Sequence, residues 1–411
     1  MDHAGQRPGL HILMLSDVYF PRINGVSTSI QTFRRELAEL GHRVTVMAPD
    51  YPGQAQDEGD IQRVASRRVP FDPEDRLMAR QALREALRAL KLAGIDLVHI
   101  QTPFRAHYAG VAFARELGVP CLETYHTYFE EYFFHYVPIV PRAWMRVAAR
   151  RLSRQQCNSL DAVVVPSRAM RQVLQTYGVT TPMHIIPTGL ELSRWQGGDG
   201  AAFRQRHGIP ASRPVLVHVG RVAFEKNIDF LLRVVARLRR RIPDVLLIVS
   251  GDGPARAGLE ALSRRLGLQG NVLFVGYLDR RTVLLDCYRA GDVFVFASNT
   301  ETQGLVLLEA MALGVPIVST AVLGTKDILE NAQGALIARE DEADFCDKIV
   351  QVLEDGALRG RLAAAAREDA AGWSAPATAR TMADLYRSLA AARAARGPAA
   401  SADRLADGGE G

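Results

Sequence analysis

Short apolar runs alternate with longer amphipathic stretches along most of the chain, the pattern of βα units built on a parallel sheet. Residues 10–16 read as a first strand and 27–40 as a helix with Gly41 at its C-cap position; 43–48 is the next strand. Runs at 97–101 (LVHIQ), 120–124, 162–166 (AVVVP) and 184–187 continue the series, and a polar, glycine-rich stretch follows at 196–200. The pattern then restarts at 215–220 (VLVHVG) and goes on through 245–250, 272–277, 293–297 and 316–319. The expected fold class is therefore α/β, with two doubly wound parallel sheets in tandem. The domains are expected at 1–190 and 191–377. A long Ala/Arg-rich helix at 378–395 is a candidate to pack back on the first, and the small, polar tail 397–411 is expected to be disordered. Open parallel sheets bind ligands beyond their C-terminal strand ends, and two that face each other make a cleft, so residues just after strands are the ones to inspect.

Composition narrows the classes. A length of 411 residues exceeds what one core usually organises, and 48% hydrophobic with 23% charged residues is globular rather than disordered. A net charge of +5 suits anionic partners such as phosphates or acidic lipid but is too small to argue for nucleic acid. Cys121, Cys157, Cys287 and Cys346 are dispersed without a CxxC pair, which speaks against a disulfide framework or a zinc site and fits a reducing cytoplasm. No apolar run approaches bilayer-spanning length, and residues 1–8 lack the apolar stretch of a signal peptide. The expected location is cytoplasmic, with any contact to the inner face of the cytoplasmic membrane peripheral.

Five strand ends carry candidate chemistry. After the run 293–297 comes Ser298-Asn-Thr-Glu301-Thr-Gln-Gly304-Leu305-Val306-Leu-Leu-Glu309, a loop opening into a helix whose free N–H groups and partial positive charge suit a diphosphate. After 215–219 comes Gly220-Arg221-Val-Ala-Phe-Glu225-Lys226, two cations that can neutralise a leaving diphosphate. In the first domain Pro21-Arg-Ile-Asn24-Gly25-Val-Ser27 joins strand to helix, with Gly25 allowing close backbone approach and Ser27 available as a cap. His126 follows the strand 120–124. Gly251-Asp-Gly253-Pro-Ala-Arg256 has the position of a dinucleotide fingerprint, yet Arg256 stands where the third glycine belongs, against a nicotinamide site. Neither a compact metal cluster nor a DxD motif after a strand is present, so no metal and no cofactor are expected.

The stretch from Glu301 to Glu309 resembles the Glu-x7-Glu motif of retaining glycosyltransferases of the GT-B fold, in family 4. The resemblance spans about residues 10–390. It implies two Rossmann-like domains facing across a cleft and a nucleotide-diphosphate sugar as co-substrate. Glu309 would bond the donor ribose, Glu301 would lie near the sugar, and the N–H groups of Leu305 and Val306 would meet the phosphates. Arg221 and Lys226 would stabilise the departing diphosphate, removing the need for a metal. Gly25 would approach the phosphates from the other domain, His126 would contact the transferred sugar or the acceptor, and Gly251 and Gly253 would lie near the nucleotide. Gln303 departs from the family pattern, which has an aromatic residue there. Whether Glu301 is nucleophile or orienting group stays open.

The acceptor side has its own signature. An aromatic run at 128–140, containing Phe133 and Phe134, leads into Trp144, Arg146, Arg150, Arg151 and Arg154 with no carboxylate from 142 to 154. A basic segment with a tryptophan suits an anionic bilayer surface. Asn24-Gly-Val-Ser27, Thr124-Tyr-His-Thr and Glu301-Thr-Gln-Gly304 are similar to the diacylglycerol glucosyltransferase branch, which implies a lipid acceptor and UDP-glucose as donor. A polysaccharide, lipopolysaccharide or small soluble acceptor is the rival within the class. Outside it stand a sugar-nucleotide epimerase, a nicotinamide oxidoreductase and a non-catalytic nucleotide-sugar-binding module.

Overall fold

The computed structural model describes residues 9–53, 57, 59–69, 72–126, 142–280 and 282–396. The chain forms two compact units, Met1–Gly189 with Ala375–Gly411, and Leu190–Ser374.

In the first unit β1 (His11–Leu15), β2 (Arg43–Pro49) and β3 (Ile61–Val64) precede an antiparallel ribbon of β4 (Ser66–Val69) and β5 (Asp72–Met78). The strands β6 (Leu97–Ile100), β7 (Cys121–Thr124), β8 (Ala162–Val165) and β9 (Met183–Ile185) complete a parallel seven-stranded sheet in the order β3-β2-β1-β6-β7-β8-β9. Its strands read as unbroken apolar runs because both faces are covered. Leu13, Leu15, Val98 and Ile100 pack with Leu83 and Leu87 of α2 (Arg80–Ala89), Phe113 of α3 (Arg105–Leu117), Ala149 of α4 (Arg142–Cys157) and Met170 of α5 (Arg168–Thr176). Ile12, Met14 and Val164 pack on the other face with Ile30, Phe33 and Leu37 of α1 (Gly25–Glu39). The same face receives Ala379, Met382, Ala383 and Tyr386 of the last helix, Ala375–Arg396. Burial of each large apolar side chain contributes about 2 kcal/mol. The cap of α1 is Asn24, not Ser27: the Asn24 side chain accepts the Ser27 N–H at 2.8 Å, so the helix starts earlier than the apolar period suggests.

The second unit contains β10 (Val215–Val219), β11 (Leu246–Ser250), β12 (Val272–Gly276), β13 (Val293–Phe296), β14 (Ile317–Ser319) and β15 (Ala335–Ile337), all parallel, in the order β12-β11-β10-β13-β14-β15. Its helices are α6 (Gly200–Arg206), α7 (Ile228–Leu238), α8 (Arg256–Arg265), α9 (Val283–Ala290), α10 (Leu305–Ala312), α11 (Gly324–Leu329), α12 (Glu342–Glu354) and α13 (Gly356–Ala371). Val217, Phe294 and Phe296 meet α9 and α10 on one face, while Leu216, Leu247 and Val295 meet α7 and α12 on the other. The chain winds one way from β10 and the other way from β13. Neighbouring connections therefore diverge between these two strands, the place where open sheets leave a ligand crevice.

Candidate active site

Both connections at that switch point carry charge. The loop after β10 holds Gly220 and the half-buried Arg221, then a single 3-10 turn, Phe224–Lys226. The loop after β13 holds Glu301. Lys226 Nζ donates to Glu301 Oε1 at 2.6 Å, and each side chain keeps 19% of its surface exposed. Glu225, the nearer carboxylate in sequence, is not the one in that bond. The Glu301 loop is pinned from below: its carbonyl accepts the Gly324 N–H at 2.9 Å, and a Cβ on Gly324 would stand 2.0 Å from the Thr302 carbonyl oxygen. Leu323, just before, takes a left-handed φ of 50°, a strained backbone of the kind that clusters at functional sites. Gly304 caps α10 with φ 101°, a conformation that favours glycine. The first-turn N–H groups of Leu305 and Val306 have no partner within the helix and form its positive end.

Glu309, expected as the ribose partner, lies inside α10 as a buried carboxylate. It is only 2% exposed, and both oxygens are engaged. Oε2 accepts from the Tyr288 hydroxyl at 2.8 Å, and Oε1 is paired with Arg280, whose guanidinium lies 5.6 Å from the Trp195 ring centroid. Burial opposes the Arg280 charge, and Glu309 and Tyr288 together more than restore it. Burial and the Glu309 charge together hold the Tyr288 phenol well above its usual range. A carboxylate has about four lone-pair sites, so roughly two remain for a ligand.

In the first unit, the matching switch point lies between β1 and β6. Asp17, after β1, accepts from the Thr102 hydroxyl at 2.9 Å and from the Ala106 N–H at the start of α3. Burial raises its carboxyl to about 6. His126 Nε2 donates to Gln101 Oε1 at 3.0 Å, and burial lowers its imidazole to about 4, so the ring is neutral at ordinary pH. His99 bridges Thr124 and Tyr386 and is pushed down to about 3, by burial first. His107 and Glu123 pair at 2.6 Å inside the unit.

Residues 199–369 match the family described as "Glycosyl transferases group 1", and residues 23–194 match "Glycosyltransferase Family 4". A relative in Streptococcus pneumoniae (strain ATCC BAA-255 / R6), an alpha-monoglucosyldiacylglycerol synthase, is 34% identical over 75% of this chain and 71% of its own. This chain belongs to glycosyltransferase family 4. It fits the diacylglycerol glucosyltransferase-like branch of the family. A GDP-mannose-dependent alpha-mannosyltransferase of Mycobacterium tuberculosis (strain CDC 1551 / Oshkosh) is 29% identical over 90% of this chain and 94% of its own. Sucrose-phosphate synthase from Thermosynechococcus elongatus superposes with a TM-score of 0.77 at 23% identity, over 93% of this chain and 100% of that one. The family 4 chain thus has the GT-B type of α/β fold, and sugar transfer is its activity.

Other residues of this glycosyltransferase separate by environment. Gly251 (φ 124°) and Gly253 (φ 155°) have a backbone reason to be glycine: a Cβ would stand 1.9 Å from the Gly220 carbonyl oxygen in one case and 2.5 Å from that of Val222 in the other. They let the β11 loop press against the loop that carries Arg221. Gly25 opens α1 with nothing within 4 Å of where a Cβ would be, so packing does not demand a glycine there. On α4, Trp144 is 75% exposed, Arg146 and Arg150 are exposed, and Arg150 lies 5.5 Å from the Tyr177 ring centroid. Phe133 and Phe134 fall outside the described residues. Among the described residues, no helix is long and apolar enough to cross a membrane, and no group of three or more His, Cys, Asp or Glu is placed to hold a metal. The four cysteines are buried and unbridged.

Sequence reasoning missed Arg280, Tyr288 and Asp17. Asp17 and Arg280 lie shortly after strands β1 and β12, so the strand-end rule would have found both. Tyr288 lies inside α9, and only the fold brings it to Glu309.

Proposed function

We propose that the enzyme moves glucose from UDP-glucose to a diacylglycerol at an anionic membrane surface, with retention of the anomeric configuration and without a metal ion. The observation that carries the donor half is the Lys226–Glu301 pair, 75 residues apart in sequence and joined at a sheet switch point beside the start of α10. In this reading the diphosphate takes the place of Glu301 as the partner of Lys226. Arg221 and the N–H groups of Leu305 and Val306 supply the remaining positive field. The bond between the sugar anomeric carbon and the diphosphate oxygen breaks, and its electrons stay on the diphosphate. The acceptor hydroxyl oxygen bonds to the same face of that carbon, and its proton passes to a departing phosphate oxygen. Glu309, held by Arg280 and Tyr288, takes the ribose hydroxyls, and Gly25, Gly251 and Gly253 keep backbone close to the nucleotide. Glu301 orients the sugar once Lys226 has left it. The first unit handles the acceptor, with neutral His126 as a hydrogen-bonding group and the exposed Trp144, Arg146 and Arg150 meeting the lipid surface. The likeness to a glucosyldiacylglycerol synthase supports the lipid acceptor.

The test is transfer of labelled glucose from UDP-glucose into vesicles of phosphatidylglycerol and diacylglycerol, with and without EDTA, and the product's anomer read by NMR. Expected is an α-linked glucolipid whose formation EDTA leaves unchanged. Product only from GDP-mannose, the donor named for the mycobacterial relative, would replace the donor assignment. Product only with a water-soluble acceptor would replace the lipid.

A further inference from the structure

The central strand β10 carries a histidine whose chemistry the fold does not use up. His218 is fully buried, and its ring stacks on Phe296 with centroids 5.5 Å apart and planes 15° from parallel. Nδ1 lies 3.2 Å from the carbonyl oxygen of Val295. A carbonyl only accepts, so Nδ1 carries the hydrogen. Burial holds the imidazole down to about 4, with the Lys226 charge acting the same way, so the ring is neutral and Nε2 is a bare lone pair. That atom has no hydrogen-bond partner. A buried acceptor left unpaired loses its hydration with nothing in return, and such an atom in a native protein calls for an explanation.

Its position supplies one. Nε2 lies beside the start of the Arg221 loop: a Cβ on Gly220 would stand 3.7 Å from it, in ordinary contact. Lys226 and Glu301 lie close enough for both charges to act on the ring. Lys226 is itself committed to Glu301. A lone pair on a neutral imidazole repels phosphate oxygens and attracts an O–H group. Of the parts of a nucleotide sugar, the diphosphate therefore does not fit this atom and a sugar hydroxyl does.

We propose that His218 Nε2 accepts a hydrogen bond from a hydroxyl of the donor's sugar and so helps determine which sugar the enzyme takes. This rests on the reading of the β10–β13 switch point as the nucleotide-sugar site. A buried water on Nε2 is the competing explanation, and it gives a different result below.

The test compares His218→Asn, which reaches only the Nδ1 position, with His218→Gln, which returns an oxygen near the Nε2 position. Affinities for UDP and for UDP-glucose are measured by calorimetry on the full chain, beside thermal melts. Expected for His218→Asn is an affinity for UDP-glucose about tenfold lower, the scale of one buried neutral hydrogen bond, with UDP affinity within about twofold of wild type. His218→Gln is expected to recover most of the loss. Across 2-, 3-, 4- and 6-deoxy analogues of UDP-glucose, one analogue should lose about tenfold on wild type and nothing further on His218→Asn. Unchanged UDP-glucose affinity in His218→Asn would mean that only water occupies Nε2 and would overturn the inference. Equal loss for UDP and UDP-glucose would assign the residue to the fold or the phosphates and overturn it too. A wild type that binds UDP but shows no added dependence on any sugar hydroxyl refutes the His218 contact alone. A wild type that binds neither ligand removes the underlying site.

Discussion

The two sheets place polar groups at equivalent switch points and treat them in opposite ways. At the first, Asp17, His99, His107, Glu123 and Thr124 are buried and bonded to one another or to neighbours, and the imidazoles of His99 and His126 are held neutral. At the second, Lys226 and Glu301 keep their charges in partial contact with solvent beside a helix start, and His218 keeps an unpaired nitrogen. One topology thus carries buried, mutually bonded polar groups in one unit and a partly solvated ion pair in the other. The difference lies in burial and charge rather than in strand order.

Removing the charge should do the most. Lys226→Ala is expected to lower kcat about a thousandfold, the upper end for loss of one preorganised electrostatic contact, with little change in the melting temperature; steady-state kinetics with UDP-glucose checks it. Arg280→Ala strands the Glu309 carboxylate, and urea unfolding should show a loss of about 3 kcal/mol. A drop in donor affinity alongside would tie the buried pair to the ribose.

The first unit should respond to acid instead. Its His99 pKa of about 3 lies below the unfolded value of 6.5, so the unfolded chain takes up the proton first and stability falls as pH drops from 6.5. By pH 5 this histidine should cost about 2 kcal/mol, a loss that His99→Gln removes. Asp17 works the other way: its folded pKa of about 6 exceeds the unfolded value of 3.8, so the folded chain protonates first and gains about 1 kcal/mol by pH 5. Urea unfolding at pH 7 and pH 5 on the two single variants, the second being Asp17→Asn, separates these terms. Smallest is the surface effect: Arg146→Ala should weaken binding to anionic vesicles by about 1 kcal/mol, as read by co-sedimentation at low salt.

How much of this was legible follows the same divide. Strands buried on both faces announced themselves as apolar runs, which is why β1, β2, β6–β8, β10, β11 and β13 could be placed from the sequence. The strand β3, the β4–β5 ribbon and the short β15 did not, because an edge strand or a two-stranded ribbon needs no apolar run. The Lys226 and Glu301 motifs were visible as strand-end residues, but their union was not, since only the sheet order makes β10 and β13 neighbours. The glycines at 251 and 253 read as ligand loops, whereas contact between two backbones already requires them. Tyr288 escaped notice because it lies inside α9 and only burial brings it to Glu309, whereas Arg280 stands just past a strand end and could have been found.

A crystal of the protein soaked with UDP tests the charged switch point most directly. The diphosphate is expected within hydrogen-bonding distance of Lys226, Arg221 and the N–H groups of Leu305 and Val306, with the Lys226–Glu301 bond opened. A diphosphate bound elsewhere, with Lys226 still on Glu301, would contradict the assignment of that site.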